Sequence, residues 1–184
     1  MPHINTQNGQ HDHTASAFII HWNPEDKNTE PKLLVHMHKK FGKLLQPGGH
    51  IELNETPWAA IKHELVEETG YEINQLEILQ PSLIADLSNT GMVSHPVPFV
   101  YNTHPVDKEE THYHSDVSFL FLTHELPVGV PGEGETTDLR WLTLSEIREN
   151  KENNIGSGVQ AISELAFKIM SNENWYSYPS AHFK

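Results

Sequence analysis

The chain contains no cysteine. Disulfides, thiolate metal sites and cysteine nucleophiles are therefore excluded together. Long hydrophobic runs are also missing: the apolar stretches are a few residues each, far short of the ~20 that a membrane-spanning helix needs. Positive charge is scarce. Lysine and arginine number 12 against 25 aspartates and glutamates, a formal net charge of −13 with histidine neutral. Such a surface repels a phosphate backbone, so no nucleic acid polymer is expected as a partner. A small phosphorylated ligand is acceptable only with cations between it and the protein. The opening "MPHINTQNGQHDHT" lacks the basic-then-apolar order of a secretory signal. A cytoplasmic enzyme or binding protein, without membrane attachment, is the expectation.

What is present suits one folded domain. The 184 residues are enough for a single core, and 36% are hydrophobic. Histidine is abundant, 14 residues with no tag-like run. Residues 1–13 are polar and read as a mobile segment, 14–170 as the domain and 171–184 as a tail. Apolar runs over 16–22 and 32–38 predict strands paired as a hairpin across "NPEDKNTEP". Further strands are predicted in "QLEILQPSLIADL", "HPVPFVYNTHPV", "THYHSDVSFLFLTHE" and "LRWLTL". A helix over 57–69 follows from Thr56 as cap, Pro57 at the first position and Gly70 just past the end. "SEIRENK", capped by Ser145, and the amphipathic "GVQAISELAFKIM" complete the helices. Strands with one central and one terminal helix indicate a mixed sheet flanked by helices.

The central helix poses an electrostatic problem. Glu64, Glu67 and Glu68 hold the i, i+3, i+4 relation and share a face. That face lies about 100° round from the apolar stripe of Trp58, Ile61 and Leu65, beside the buried side. Like charges so placed disfavour a helix, and partial burial raises the cost. A hard divalent cation with oxygen ligands reverses the balance.

The spacing around them is specific. Gly49, Glu55, Glu64, Leu65, Glu67, Glu68 and Gly70 fall on the pattern Gly-x5-Glu-x7-Arg-Glu-U-x-Glu-Glu-x-Gly-U, with U aliphatic. This resembles the signature of the Nudix hydrolases. His63 stands where the pattern has arginine, and Tyr71 where it has an aliphatic residue. The resemblance implies an α/β/α sandwich with a mixed β-sheet. It implies hydrolysis of a nucleoside diphosphate linked to another moiety, with Mg²⁺ or Mn²⁺, and a small phosphorylated nucleotide as substrate. It implies Glu64, Glu67 and Glu68 as metal ligands, with a backbone carbonyl at Gly48 or Gly49, and Glu55 as a residue orienting the loop or a metal-bound water. The base is then Glu64 or a carboxylate of a later loop, for which Glu133 and Glu135 are the candidates. In the family the motif arginine holds the glutamates. His63 is expected to replace it in weaker form, with lower or more acid-shifted activity.

Other histidines alternate along strands: His36 with His38, and His112 with His114 and Asp116. With His50 they are candidates to line the substrate cleft, binding phosphate, stacking on a base or holding a borderline metal such as Zn²⁺ or Mn²⁺. The proline-rich segment before His112 is the expected specificity element, with Phe99 and Tyr101 as stacking groups or core residues. Alternatives stand beside the hydrolase. A non-catalytic Nudix-fold nucleotide sensor is one, and a histidine-rich metal-binding protein another. An isomerase of the isopentenyl diphosphate type needs a catalytic cysteine and is disfavoured. A homodimer is admitted, but no surface for it is legible.

Overall fold

The computed structural model describes residues 7–23, 25, 29–85, 87, 89–106, 109, 111–149 and 154–183. Nine strands form one mixed sheet: β1 (Gln10–His21), β2 (Lys32–His38), β3 (Lys43–Leu45), β4 (Gly48–His50), β5 (Glu77–Pro81), β6 (Val100–Pro105), β7 (His112–Thr123), β8 (Leu139–Thr143) and β9 (Trp175–Pro179). The helices are α1 (Pro57–Glu64), α2 (Leu144–Glu149) and α3 (Ser157–Met170). The strand order is β3-β2-β1-β7-β5-β9, with β4 on β1, β6 on β7 and β8 on β2. The long strands β1 and β7 run parallel over their whole length, and the other pairs are antiparallel.

Alternation along these two strands builds the sandwich. Ala15, Ala17 and Ile19 of β1, with Phe119 and Phe121 of β7, face one way and pack on Trp58, Ala60, Ile61 and Leu65. Phe18, Ile20, Leu120 and Leu122 face the other way, onto Val159, Ala166 and Ile169 of α3 and Ile147 of α2. Toward the start of both strands this second face turns polar. Asp12, Thr14 and Ser16 lie level with His114, Asp116 and Ser118. Because α3 covers only the apolar half, the polar half is left to form the wall of a cleft.

Several expectations are corrected here. β1 begins at Gln10, not at 16, so 10–13 belong to the sheet rather than to a mobile segment. Residues 1–6 lie outside the described residues, as do most of the turn at 24–28 and residues 150–153. The C-terminal stretch is not a loose tail: β9 pairs with β5, and Trp58 Nε1 donates to the Phe183 carbonyl at 3.3 Å. The cap of α2 is Thr143 rather than Ser145. Thr143 Oγ1 accepts from Glu146 N at 3.2 Å while the Glu146 carboxylate accepts from Thr143 N at 2.8 Å, a capping box. Thr56 does cap α1, accepting from Ala59 N at 3.1 Å.

The predicted helix over 57–69 is α-helical only as far as Glu64. Leu65–Thr69 form a wider π turn, a rare form that occurs frequently at functional sites. Gly70 ends it with a left-handed φ of 75°. A Cβ at Gly70 would meet the Gly129 backbone at 2.5 Å, so glycine is required on both counts. The carbonyls left over at the end of the turn are taken by the glycine-rich loop: Glu67 O accepts from Gly132 N at 2.7 Å and Gly70 O from Gly129 N at 3.0 Å. Tyr71, in place of an aliphatic residue, is fully buried and donates its hydroxyl to the Glu125 carbonyl at 2.7 Å.

Candidate active site

The cleft has a volume of about 850 Å³ and is bounded by β1, β2, β4, β6, β7, the π turn, the glycine-rich loop and the start of α3. Glu64, Glu67 and Glu68 all line it, but they are not equivalent. Glu64 and Glu68 are buried, at 5% and 8% exposure, whereas the Glu67 side chain is about half exposed at 48%. The strand β4 lies against the buried pair. Gly48 N donates to Glu68 Oε2 at 2.8 Å. A Cβ at Gly49 would fall 2.0 Å from Glu64 Oε1, so only glycine lets the carboxylate take this place.

Burial shifts both groups. The Glu64 carboxyl is raised to about 7, first by burial and then by the Glu67 charge. Glu68 is raised to about 8 by burial, opposed by the Gly48 hydrogen bond and reinforced by Glu64. His36 Nε2 stands 3.8 Å from Glu68 Oε2. Burial, and then the His38 charge, lowers the His36 imidazole to about 4. Burial thus discharges both partners, and we read the contact as neutral rather than as an ion pair. His36 Nδ1 is buried without a hydrogen-bond partner among the described residues.

His63 lies at the rim, its side chain half exposed. Nε2 is 2.9 Å from Glu67 Oε1 and Nδ1 is 3.9 Å from Glu55 Oε1, so the ring stands between the two motif carboxylates. Glu55 also accepts from Glu52 N at 3.3 Å. Of the later-loop carboxylates, Glu135 lines the cleft, whereas Glu133 is exposed and does not. The Glu135 charge helps to raise both Glu64 and Glu68. Lys39 holds this loop by donating to the carbonyls of Gly134 and Glu135.

His38, His50, His114 and Asp116 also line the cleft, and His112 lies just outside it. Asp116 is saturated by hydroxyls. Thr14 and Ser16 donate to Oδ1 at 2.8 and 2.7 Å, and Ser118 to Oδ2 at 2.7 Å. These bonds tie β1 to β7. Phe99 packs edge-on against Phe18 in the core, and Tyr101 is 65% exposed away from the cleft. The cleft aromatic is instead Phe41, exposed and lying 4.6 Å from the His38 ring. Asn102, His104, Pro105 and Val106 of the expected specificity segment do line the cleft, and residues 107, 108 and 110 lie outside the described residues. Three lysines, Lys39, Lys40 and Lys43, also line the cleft and set positive charge among its carboxylates. Sequence reasoning missed them, Phe41 and Asp12. For Asp12 a signal existed, since "HDHTASAF" already alternates as a strand.

Two buried carboxylates with glycine backbone held against them, in a cleft that lysines also line, could hold a divalent cation and an anionic ligand. Residues 12–161 match the family model described as NUDIX domain, and the chain belongs to the Nudix family. A NUDIX-family hydrolase from Clostridium perfringens is 25% identical, with a TM-score of 0.68 over 87% of this chain and 98% of that one. The NUDIX domain of Shewanella oneidensis NrtR, solved with ADP ribose, is 14% identical, with a TM-score of 0.61 over 88% and 90%. A C. elegans Ap4A hydrolase is also 14% identical, with a TM-score of 0.53 over 88% and 97%. No curated protein matches the chain.

Proposed function

We propose that the protein is a metal-dependent pyrophosphohydrolase that cleaves the diphosphate bond of a nucleotide linked to another moiety. The observation that carries this is the pair of buried carboxylates, Glu64 and Glu68, held against Gly48 and Gly49 with their protonation pushed into the neutral range. A divalent cation offsets the repulsion of two such buried carboxylates. Glu64, Glu67 and Glu68 would hold Mg²⁺ or Mn²⁺, with a backbone carbonyl at Gly49. When bound, the ion supplies the charge that activates water and neutralises phosphate oxygens.

The chain's own residues do the rest. Lys39, Lys40 and Lys43 present positive charge to the phosphates, and Phe41 with His38 offers a stacking surface for a base. His36, kept neutral, adds a polar group to the cleft floor without repelling the ion. Glu64 is the base in this reading, and Glu135 is the second candidate because it reaches the cleft where Glu133 does not. The retention of every motif glutamate favours catalysis over a non-catalytic sensor. A small nucleotide is the substrate class, with a cytoplasmic setting consistent with a chain free of cysteine.

The test is a phosphate-release screen with Mg²⁺ and Mn²⁺ over nucleotide sugars, ADP-ribose, dinucleoside polyphosphates and nucleoside triphosphates, oxidised forms included. At least one class is expected to turn over, and Glu67→Gln and Glu68→Gln to lower its rate by ~10²-fold or more. Full activity in those variants places the chemistry elsewhere.

A further inference from the structure

A second cluster lies farther along the same strands. The parallel register of β1 and β7 sets Asp12 directly opposite His114, and His112 alternates onto the same face. One donor atom from each of Asp12, His112 and His114 lies within 4.8 Å of the others. Asp12 Oδ2 is 3.1 Å from His112 Nε2 and 3.5 Å from His50 Nε2. The His50 and His104 rings stand edge-on to His114, at 5.0 and 5.6 Å. Asp12 is fully buried.

The contrast with Asp116 is informative. Both are buried aspartates on neighbouring strands. Asp116 is surrounded by three hydroxyl donors, a full and ordinary solution for a buried carboxylate. Asp12 is surrounded by imidazoles, which are metal ligands when neutral. We propose that Asp12, His112 and His114 bind a divalent transition-metal ion of the Zn²⁺ type, at a site separate from the motif glutamates.

The donor chemistry chooses the ion. Two imidazole nitrogens and one carboxylate oxygen suit Zn²⁺ or Fe²⁺, whereas Mg²⁺ takes oxygen ligands. Three protein donors leave a coordination position open. His50 Nε2 is near enough to fill it, and because His50 and His114 line the cleft, water or a ligand group can compete. The two metal sites do not overlap. The Glu68 anchor, Gly48, pairs with Ser16, four residues along β1 from Asp12, or ~13 Å at ~3.3 Å per residue. An ion here would fasten β1 to β7 at one end of the cleft.

The experiment uses the full chain carrying Glu67→Gln and Glu68→Gln, stripped with chelator and titrated with Zn²⁺ under excess Mg²⁺, with Co²⁺ as a spectroscopic probe. A single tight equivalent of Zn²⁺ is expected, with visible Co²⁺ absorption of a site containing nitrogen donors and a rise in Tm on adding Zn²⁺. His112→Gln, His114→Gln and Asp12→Asn are each expected to weaken Zn²⁺ by at least ~tenfold and to remove the Co²⁺ signal. Circular dichroism identifies which variants fold, and the three substitutions are independent, so one folded variant suffices. Unchanged Zn²⁺ affinity in a folded variant assigns the ion to other histidines and overturns the proposal. So does absence of tight Zn²⁺ binding to the glutamine-substituted parent, whereas an inactive phosphate-release screen would leave this site untouched.

Discussion

His63 is one of two residues, with Tyr71, at which this chain departs from its family's motif, and the geometry accounts for its tolerance. An arginine grips two carboxylates at once through a planar fork. The imidazole reaches Glu67 well, at 2.9 Å, but its other nitrogen stops 3.9 Å short of Glu55. It therefore performs half of the arginine's task. The ring and Glu67 are half exposed and Glu55 partly so, so the loss is small in stability and is felt in how firmly Glu67 is aimed. His63→Ala is expected to lower kcat/KM by ~10-fold, the usual effect of removing a residue that orients a ligand. His63→Arg should equal or exceed the wild type, because a fork can reach both carboxylates. Coincident pH–rate profiles for wild type and His63→Arg would show that the substitution has no consequence.

At the scale of elements, the site is made by the approach of β4 to the junction of α1 and the π turn. The turn is wider than an α-helix, so Glu64 and Glu68 are buried together while Glu67 is turned to the rim. The glycine-rich loop then caps the turn's carbonyls and carries Glu135 into the cleft. Gly49 leaves the room that the Glu64 carboxylate occupies. In Gly49→Ala the new methyl would sit 2.0 Å from Glu64 Oε1, at the free end of a flexible side chain. The carboxylate can swing aside, so the fold should survive with a Tm change of a few degrees. The same movement takes Glu64 from its place, and activity should fall by ~10²-fold or more. Wild-type activity in a folded Gly49→Ala would disprove the assigned place of Glu64.

At the scale of the whole molecule, the buried carboxylates make stability depend on pH and on cation together. Glu64 and Glu68 titrate near 7 and 8 when folded and in the ordinary carboxylate range when unfolded. Above that ordinary range the folded chain holds protons that the unfolded chain has lost, so stability falls as pH rises through about 8. His36 acts oppositely. Lowered to about 4, it costs stability as pH falls below its ordinary value of 6.5. Between pH 6.5 and 8.5 the two raised glutamates outweigh His36, whose unfolded-state proton is lost within about a unit of 6.5. Melts in chelator should show Tm falling across that window, and Mg²⁺ should raise Tm more at pH 8.5 than at 6.5, because it binds the ionised pair. Equal Mg²⁺ shifts at the two pH values would contradict this account.

The sequence by itself determined the family, the sandwich, the strand β2 to the residue, and the three glutamates. Those are local matters: a period, a cap, a fixed spacing of residue types. Only the tertiary structure separated Glu64 and Glu68 from Glu67, because burial depends on β4 arriving from elsewhere in the chain. It also placed Phe99 in the core beneath α3 and gave Asp116, on the cleft wall, its hydroxyl donors from β1 and β7. And it brought Asp12, in a segment read as mobile, against His112 some hundred residues away. Parallel pairing of β1 with β7 makes that contact, and a register between distant strands leaves no trace in either strand alone.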